Sequence, residues 1–406
     1  MTLGETLHRH HLAIREPQVW DGALSGGKRI VTAWLDEVER ALRWLTQHDS
    51  ARLTWDRKLD ALERASLDWG HSALLLSGGA GLGFIHLGVI RTLLRDGLLP
   101  DVINGSSMGA GVAALTCTRT DAELHALFDD TTTLQRMGLK WQPVQTAITG
   151  RAAFDADRWN RAMRENVGDF TFREARERTG RTLSVVVAPL AARQRVRVLN
   201  HITAPDVLVA SAALASSAIP GLFPPVTLRA RGPDGVERSW LAEERFIDGS
   251  FWGDLPMLQL RRLFGVNHSI VSQTNAHILP LLALQEGRGP VSATFDVASA
   301  LAWGQGRELA SIAGRRLPNQ QLRRLILEAW SMADQLRSGD ITIAPRLTIS
   351  DIRQLFSNPT QLELDKMILR GARATWRRLP ALRGQTRIAR VLSDCLADVL
   401  QQGAEA

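Results

Sequence analysis

DVINGSSMGAGVAALTCT, residues 101–118, passes from the apolar pair Val102 and Ile103 through small residues into a helix-compatible run. A strand, a sharp turn and a helix read this way. Inside the turn lies Gly105-Ser106-Ser107-Met108-Gly109, a G-x-S-x-G of the nucleophile-elbow kind. Gly105 and Gly109 suit such a turn because its central residue is held in a strained conformation, and a Cβ on either flank would collide with strand or helix. Ser107 is the candidate nucleophile at its tip. The same letters also suit a plain glycine-rich strand-to-helix turn, so the rest of the chain has to decide.

Upstream, Ala73-Leu74-Leu75-Leu76-Ser77 reads as a buried strand. Gly78-Gly79-Ala80-Gly81-Leu82-Gly83 follows, and then a helix from Phe84 to about Arg95. This order aims backbone N–H groups at whatever sits above the helix N-terminus, where the dipole also favours negative charge. A dinucleotide fingerprint would need G-x-G-x-x-G and an acidic residue about 20 positions on. Position three of the hexad is Ala80, and the next strand leads to Ser107 instead. An oxyanion hole made by Gly79, Ala80 and Gly81 explains loop and elbow together. A phosphate site and a structural turn are the competing readings.

Downstream, Thr182–Pro189 and Arg195–Leu199 read as a strand pair. A helix is expected between Thr203 and Pro220, with Thr203 as its N-cap. Phe246-Ile247-Asp248-Gly249-Ser250 places a carboxylate before a glycine, which by itself usually marks a turn. Asp254 is a rival carboxylate, and Asn267–Thr274 reads as a further core strand.

A chain of 406 residues with 45% hydrophobic and 22% charged side chains is globular rather than disordered. Its charge of +7 rests on arginine, since only four of 49 basic residues are lysine, and suits anionic partners such as phospholipid headgroups. No nucleic-acid motif accompanies it, so nucleic acid is not expected as a partner. Cys117 and Cys395 have no Cys or His at ligand spacing, which indicates neither a disulfide framework nor a metal site and fits a reducing, cytoplasmic setting. The first twenty residues lack the apolar core of a signal peptide. Charge-free runs at 73–90 and 207–228 are broken by glycine and proline, so they read as buried core rather than membrane spans.

Three regions emerge. Residues 1–70 are expected to be helical, with Val31, Trp34, Leu35, Val38, Leu42 and Leu45 on one stripe and Leu53, Trp55, Leu59 and Leu62 on another. Residues 71–275 carry the α/β core. Residues 276–406 read as helical again, through Trp303, Leu322, Leu325, Ile326 and Trp330. There Lys366, Arg370, Arg373 and Arg377 share one helix face, which is either solvated or rests on an anionic membrane.

Taken together the pieces resemble the patatin-like acyl hydrolases, and more closely their branch of triacylglycerol lipases from fungal and plant oil bodies. The resemblance is carried by LLLSGGAGLGFIHLGVIRTL at 74–93, NGSSMGAGVAAL at 104–115, ASSAIPGLFPPV at 215–226 and IDGSFWGDLPMLQLRRLFGVNHSIVSQTNAHILPLL at 247–282. It implies a three-layer α/β fold with a mostly parallel central sheet and flanking N- and C-terminal helical regions. It also implies a Ser-Asp dyad without histidine, with Ser107 as nucleophile, Asp248 as base and the backbone of Gly79, Ala80 and Gly81 as oxyanion donors. Gly105, Gly109 and Gly249 complete the elbow and the turn after the base. No cofactor and no metal are implied.

The expected substrate is a fatty-acyl ester, met in peripheral contact with a membrane or lipid-droplet surface. Phospholipase A, lysophospholipase or acyltransferase activity, and a non-catalytic lipid-binding role, are the alternatives. Oligomeric state is not legible. Two departures from the wider family stand in the loop. Ala80 replaces a third glycine, at little cost where φ is negative, and Leu82 replaces an arginine, which removes a positive charge near the acyl site.

Overall fold

Ala73, Leu74, Leu75 and Leu76 have no exposed surface, so this strand is covered on both faces. The computed structural model describes residues 14–15, 19–20, 26–48, 50, 52–134, 155–191, 196–220, 222–249, 255–275, 339–345, 351, 354–355 and 357–405. Two helices come first, α1 (Gly26–Gln47) and α2 (Trp55–Trp69). Then follow β1 (His71–Leu76), a 3-10 turn (Ala80–Phe84), α3 (Ile85–Arg95), β2 (Val102–Gly105), α4 (Met108–Cys117) and α5 (Asp121–Asp129). Next are α6 (Ala156–Val167), α7 (Phe172–Thr179), β3 (Thr182–Pro189), β4 (Arg197–Leu199) and α8 (Val209–Ser216). A small hairpin, β5 (Arg229–Arg231) and β6 (Glu237–Ser239), precedes β7 (Phe246–Asp248), α9 (Met257–Phe264) and β8 (Val266–Ser272). The last elements are β9 (Ile341–Ile343), α10 (Gln361–Trp376) and α11 (Leu379–Glu405).

The central sheet runs β4-β3-β2-β1-β8-β9, parallel from β3 to β9, with β4 and β7 antiparallel on β3. This is the mostly parallel α/β sheet expected. Alternate side chains serve the two faces. Leu74, Leu76, Ile103, Val185 and Val187 join the main core with α3, α4, α8 and α10, while Ala73, Leu75, Val102 and Val271 pack on Leu260 of α9. The charge-free run at 73–90 and residues 207–218 of the second run are therefore core pieces, and no helix among the described residues is long and apolar enough to cross a membrane.

Contact between α3 and α10 is close enough to need glycine on both sides. A Cβ on Gly88 would strike the Ile368 carbonyl, and one on Gly371 the Ile85 carbonyl. Helix α11 lies against both N-terminal helices, where Arg387 donates to Asp36 at 2.6 Å and to Glu39 at 2.7 Å, and Trp55 Nε1 donates to the Val399 carbonyl at 2.7 Å. The two helical ends of the chain thus pack on each other.

Three expectations change. The helix after Thr203 begins later, at Val209, because Asn200 Oδ1 accepts from the N–H groups of Ile202 and Thr203 and holds that stretch as a turn. Thr203 Oγ1 donates to the Val198 carbonyl and is not an N-cap. The C-terminal part is not helical throughout, since Ile341–Ile343 adds a parallel strand beside β8. The helix expected from Phe84 is preceded by the 3-10 turn. Trp303, Leu322, Leu325, Ile326 and Trp330 lie outside the described residues.

Candidate active site

The elbow forms where β2 stops. Ser107 has φ 52° and ψ −127°, one of three non-glycine residues with positive φ among the described residues. A Cβ on Gly105 would run into the backbone of Gly109 and Ala110, and one on Gly109 into the carbonyls of Leu76 and Ser77. Both glycines are required by close packing, as the motif suggested. The strained serine is held from outside by α8 and the residue after it: its N–H donates to Ser216 Oγ at 2.9 Å, and its carbonyl accepts from Ser217 Oγ at 3.1 Å. Ser216 Oγ in turn donates to the Val186 carbonyl at 2.6 Å.

Sheet register brings Asp248 to this place. Val185 pairs with Gly105 of β2 on one edge and with Leu199 of β4 on the other. Val187 pairs with Arg197 of β4 and also with Asp248, so β7 must occupy the edge that β2 leaves when the chain turns at the elbow. Asp248 therefore stands on the line of β2, just beyond its end. Its N–H donates to the Ala218 carbonyl at 3.0 Å, beside the two serines that clamp Ser107. Ser107 and Asp248 are 4% and 1% exposed, which keeps both out of bulk water. Gly249 packs with its Cα over the Val186 backbone. The rival Asp254 lies outside the described residues, as does Ser250.

The glycine loop leaves β1 next to the elbow, because Leu76 is in register with Gly105 and its carbonyl accepts from Ser106 N–H at 3.1 Å. Gly83 packs directly on Met108, the residue after Ser107. Gly81 N–H donates to the Leu355 carbonyl at 2.8 Å, so in this structure that donor is spent on the protein itself. No described residue accepts from the N–H groups of Gly79 or Ala80. Ala80 has φ 46°, not the negative angle under which replacing glycine is cheap; this left-handed conformation costs an L-residue about 1–2 kcal/mol. Leu82 is fully buried in the main core, so the position that carries an arginine in the wider family brings no charge here.

Behind the loop sits a group that sequence reasoning passed over. His86 is fully buried on α3, with Nδ1 2.7 Å from Ser272 Oγ and Nε2 3.0 Å from the Ser77 carbonyl. These partners fit a neutral ring that donates from Nε2 and accepts at Nδ1. Burial pushes its pKa down to about 4, against the raising effect of the Ser77 carbonyl. Thr274 Oγ1 lies 3.1 Å from Nε2 and donates to the Gly78 carbonyl at 2.9 Å, while Thr274 N–H donates to Ser77 Oγ at 2.9 Å. The network braces the loop from below. A second brace comes from α10, where Arg370 makes two bonds to buried Asp351, of 2.6 and 2.9 Å, close to the Gln354–Leu355 segment that touches Gly81. Arg370 is thus taken out of the basic stripe, leaving Lys366, Arg373 and Arg377 exposed. Among the described residues no group of three or more His, Cys, Asp or Glu side chains could hold a metal.

A family model described as "Patatin-like phospholipase" matches residues 74–261. Triacylglycerol lipase SDP1L of Arabidopsis thaliana is 34% identical over 91% of this chain and 47% of its own length. A patatin-like phospholipase domain-containing protein of Pyricularia oryzae is 33% identical over 94% of this chain and 50% of its own. The chain therefore spans about half the length of these two relatives. Triacylglycerol lipase ptl3 of Schizosaccharomyces pombe is 33% identical over 91% of this chain and 78% of its own length. Among solved structures, VipD from Legionella pneumophila aligns with 76% of this chain and 67% of its own, at 16% identity and a TM-score of 0.38. A glycine loop, a strained serine and a buried aspartate, drawn together inside the matched residues 74–261, accompany 33% identity across most of a relative's length, and the chain belongs to the patatin-like phospholipase family.

Proposed function

We propose that the chain hydrolyses fatty-acyl esters through an acyl-enzyme on Ser107. The observation that carries this reading is the register of β7, which sets buried Asp248 on the strand line that ends at the elbow. Ser107 Oγ attacks the ester carbonyl and Asp248 takes its proton. The tetrahedral oxyanion is received by the N–H groups of Gly79 and Ala80. Collapse expels the alcohol, which leaves with the proton from Asp248. Water then attacks the acyl-serine, again giving its proton to Asp248, and the fatty acid departs as Ser107 recovers its hydrogen. A carboxylate with a reference pKa of about 3.9 is a weak base for a hydroxyl, so the near-complete burial of both groups is part of the mechanism.

Two relatives are named triacylglycerol lipases. Triacylglycerol is accordingly the first substrate to test, ahead of phospholipid and lysophospholipid. Such a substrate is met at a lipid surface, and the exposed face of α10 suits one. It presents Leu362, Lys366, Leu369, Arg373 and Trp376 at helical spacing, an apolar and basic mixture that favours an anionic interface.

Fluorophosphonate labelling with a panel of triacylglycerol, phospholipid and lysophospholipid tests the reading. Wild type should label and release fatty acid, while Ser107→Ala should not label and Ser107→Ala and Asp248→Asn should each lose more than about 10³-fold in turnover. Retained hydrolysis and labelling in Ser107→Ala would refute it, and liposome binding without any labelling of wild type would favour a non-catalytic lipid-binding protein. Transfer to an added acceptor alcohol in preference to water would assign an acyltransferase.

A further inference from the structure

A trans peptide group is planar, so the direction of its carbonyl fixes the opposite direction of the N–H that shares the plane. The Gly79 N–H, one of the two donors assigned above to the oxyanion, shares its peptide with the Gly78 carbonyl. Two hydroxyls converge on that carbonyl, with Ser77 Oγ and Thr274 Oγ1 each donating to it at 2.9 Å. Both side chains are fully buried, and one donor would suffice to satisfy a buried carbonyl. The neighbouring peptides are held differently. The Gly79 carbonyl, which shares its plane with Ala80 N–H, accepts from Leu82 N–H at 3.0 Å, a main-chain bond, and Gly81 N–H donates to the Leu355 carbonyl. Among the described residues, Gly79 is therefore the loop donor whose aim is set by side chains.

We infer that Thr274, supported by Ser77 and His86, is a positioning residue that aims and polarises the Gly79 N–H toward the oxyanion of the tetrahedral intermediate. The inference rests on the acyl-serine reading above. The hydrogen bonds behind the loop run in one direction. Ser272 Oγ donates to His86 Nδ1 at 2.7 Å. His86 Nε2 faces Thr274 Oγ1 at 3.1 Å as well as the Ser77 carbonyl at 3.0 Å, and Thr274 Oγ1 passes its own hydrogen to the Gly78 carbonyl. Hydrogen bonds linked donor to acceptor polarise one another, and more so in a buried site of low dielectric. Electron density drawn toward the Gly78 oxygen makes Gly79 N–H a stronger donor just where negative charge develops on the ester oxygen. Thr274 is itself held: its N–H donates to Ser77 Oγ at 2.9 Å, and a Cβ on Gly79 would run into Thr274 Oγ1, so the hydroxyl lies against the Cα of the donor residue. Sheet register delivers both hydroxyls. Ser77 and Thr274 follow the ends of β1 and β8, which pair in parallel and are tied once more by Ser77 N–H donating to the Ser272 carbonyl at 3.1 Å.

The test uses the full chain and a p-nitrophenyl ester, with kcat and KM measured separately. Thr274→Val keeps the shape of the side chain and removes the donor; it should lower kcat by about tenfold or more while KM stays within about twofold. Ser77→Ala removes the other donor and should lower kcat in the same way. Thr274→Ser keeps the hydroxyl and discards the methyl, so it should bring kcat back to within about threefold of wild type. A packing role would give the reverse order, with Val tolerated and Ser impaired. Fluorophosphonate labelling places a phosphoryl oxygen where the oxyanion would lie, and its rate should fall in step with kcat. A kcat within about twofold of wild type in both Thr274→Val and Ser77→Ala, or a Thr274→Ser no faster than Thr274→Val, would overturn the inference. Should Thr274→Val fail to fold, Ser77→Ala carries the test, and an unchanged kcat there overturns it. Hydrolysis that survives Ser107→Ala would remove the acyl-serine reading and this inference together. Turnover abolished by Ser107→Ala but untouched by Thr274→Val and Ser77→Ala would remove the inference alone.

Discussion

His86 gives the sharpest physical prediction, because its ring is buried, neutral and wired into the loop beside Ser107. In the unfolded chain the imidazole takes up a proton near 6.5, and in the folded chain only near about 4. The folded pKa is depressed, so the stability tied to the neutral ring is fully present above the unfolded value and is lost as pH falls toward the folded one. Across the whole window this amounts to about 3 kcal/mol, of which about 2 kcal/mol should be gone at about pH 5. His201 moves in the same direction through burial and then the charge of Arg176, so the comparison is made with His86→Gln at each pH. Urea unfolding followed by tryptophan fluorescence should find the variant less stable at neutral pH, with one or two hydrogen bonds disturbed. The gap between the two proteins should then narrow by about 2 kcal/mol on going to about pH 5. Parallel curves over that range would show that His86 titrates normally or not at all, and would refute the argument that burial holds it neutral.

Further outcomes follow from single contacts. Ala80→Gly should raise stability by about 1 kcal/mol in urea unfolding, by relieving the positive φ of an L-residue and after allowing for the freer unfolded chain; no gain would mean that Ala80 is unstrained. Gly109→Ala should cost about 3 kcal/mol or prevent folding, since its Cβ faces two backbone carbonyls that cannot move aside; normal thermal unfolding would contradict the packing described. Asp351→Asn should cost about 2–3 kcal/mol, by leaving Arg370 without its two charged acceptors in a half-buried site, and the loss should persist in high salt. A loss that salt abolishes would place the pair in solvent.

Much of this arrangement was legible as letters because it depends on local sterics. The elbow glycines, the apolar run Ala73–Leu76 and the loop that follows it each leave a trace within a few residues. The strands at Thr182–Pro189 and Asn267–Thr274 were visible for the same reason, as charge-poor β-branched runs. Asp248 was different. Its local signal is that of a turn, and only the resemblance pointed to it before the register of β7 gave it a physical place. Other features left weaker traces. Ser216 and Ser217 stand together at the end of an alanine-rich helix, a pair of hydroxyls that could have been followed. His86 looked like one more residue of an apolar helix, and nothing nearby in sequence announces Ser272 or Thr274. The three-residue strand at Ile341–Ile343 is too short to announce itself in the sequence. Backbone angles are beyond letters altogether, and so the conformation of Ala80 ran against expectation.

The edge that β7 fills on β3 also sets an order of events. The first strand, the glycine loop, α3, β2 and the elbow form one continuous stretch, residues 71–109, and can organise through contacts between near neighbours. Asp248 must instead reach β3 from 61 residues beyond Val187, as a three-residue strand whose pairing bridges that long separation. Closing that distance is slow relative to local pairing. During refolding the helical signal should return first and the proposed ester turnover last, so that on this reading turnover would report the completion of folding rather than its onset.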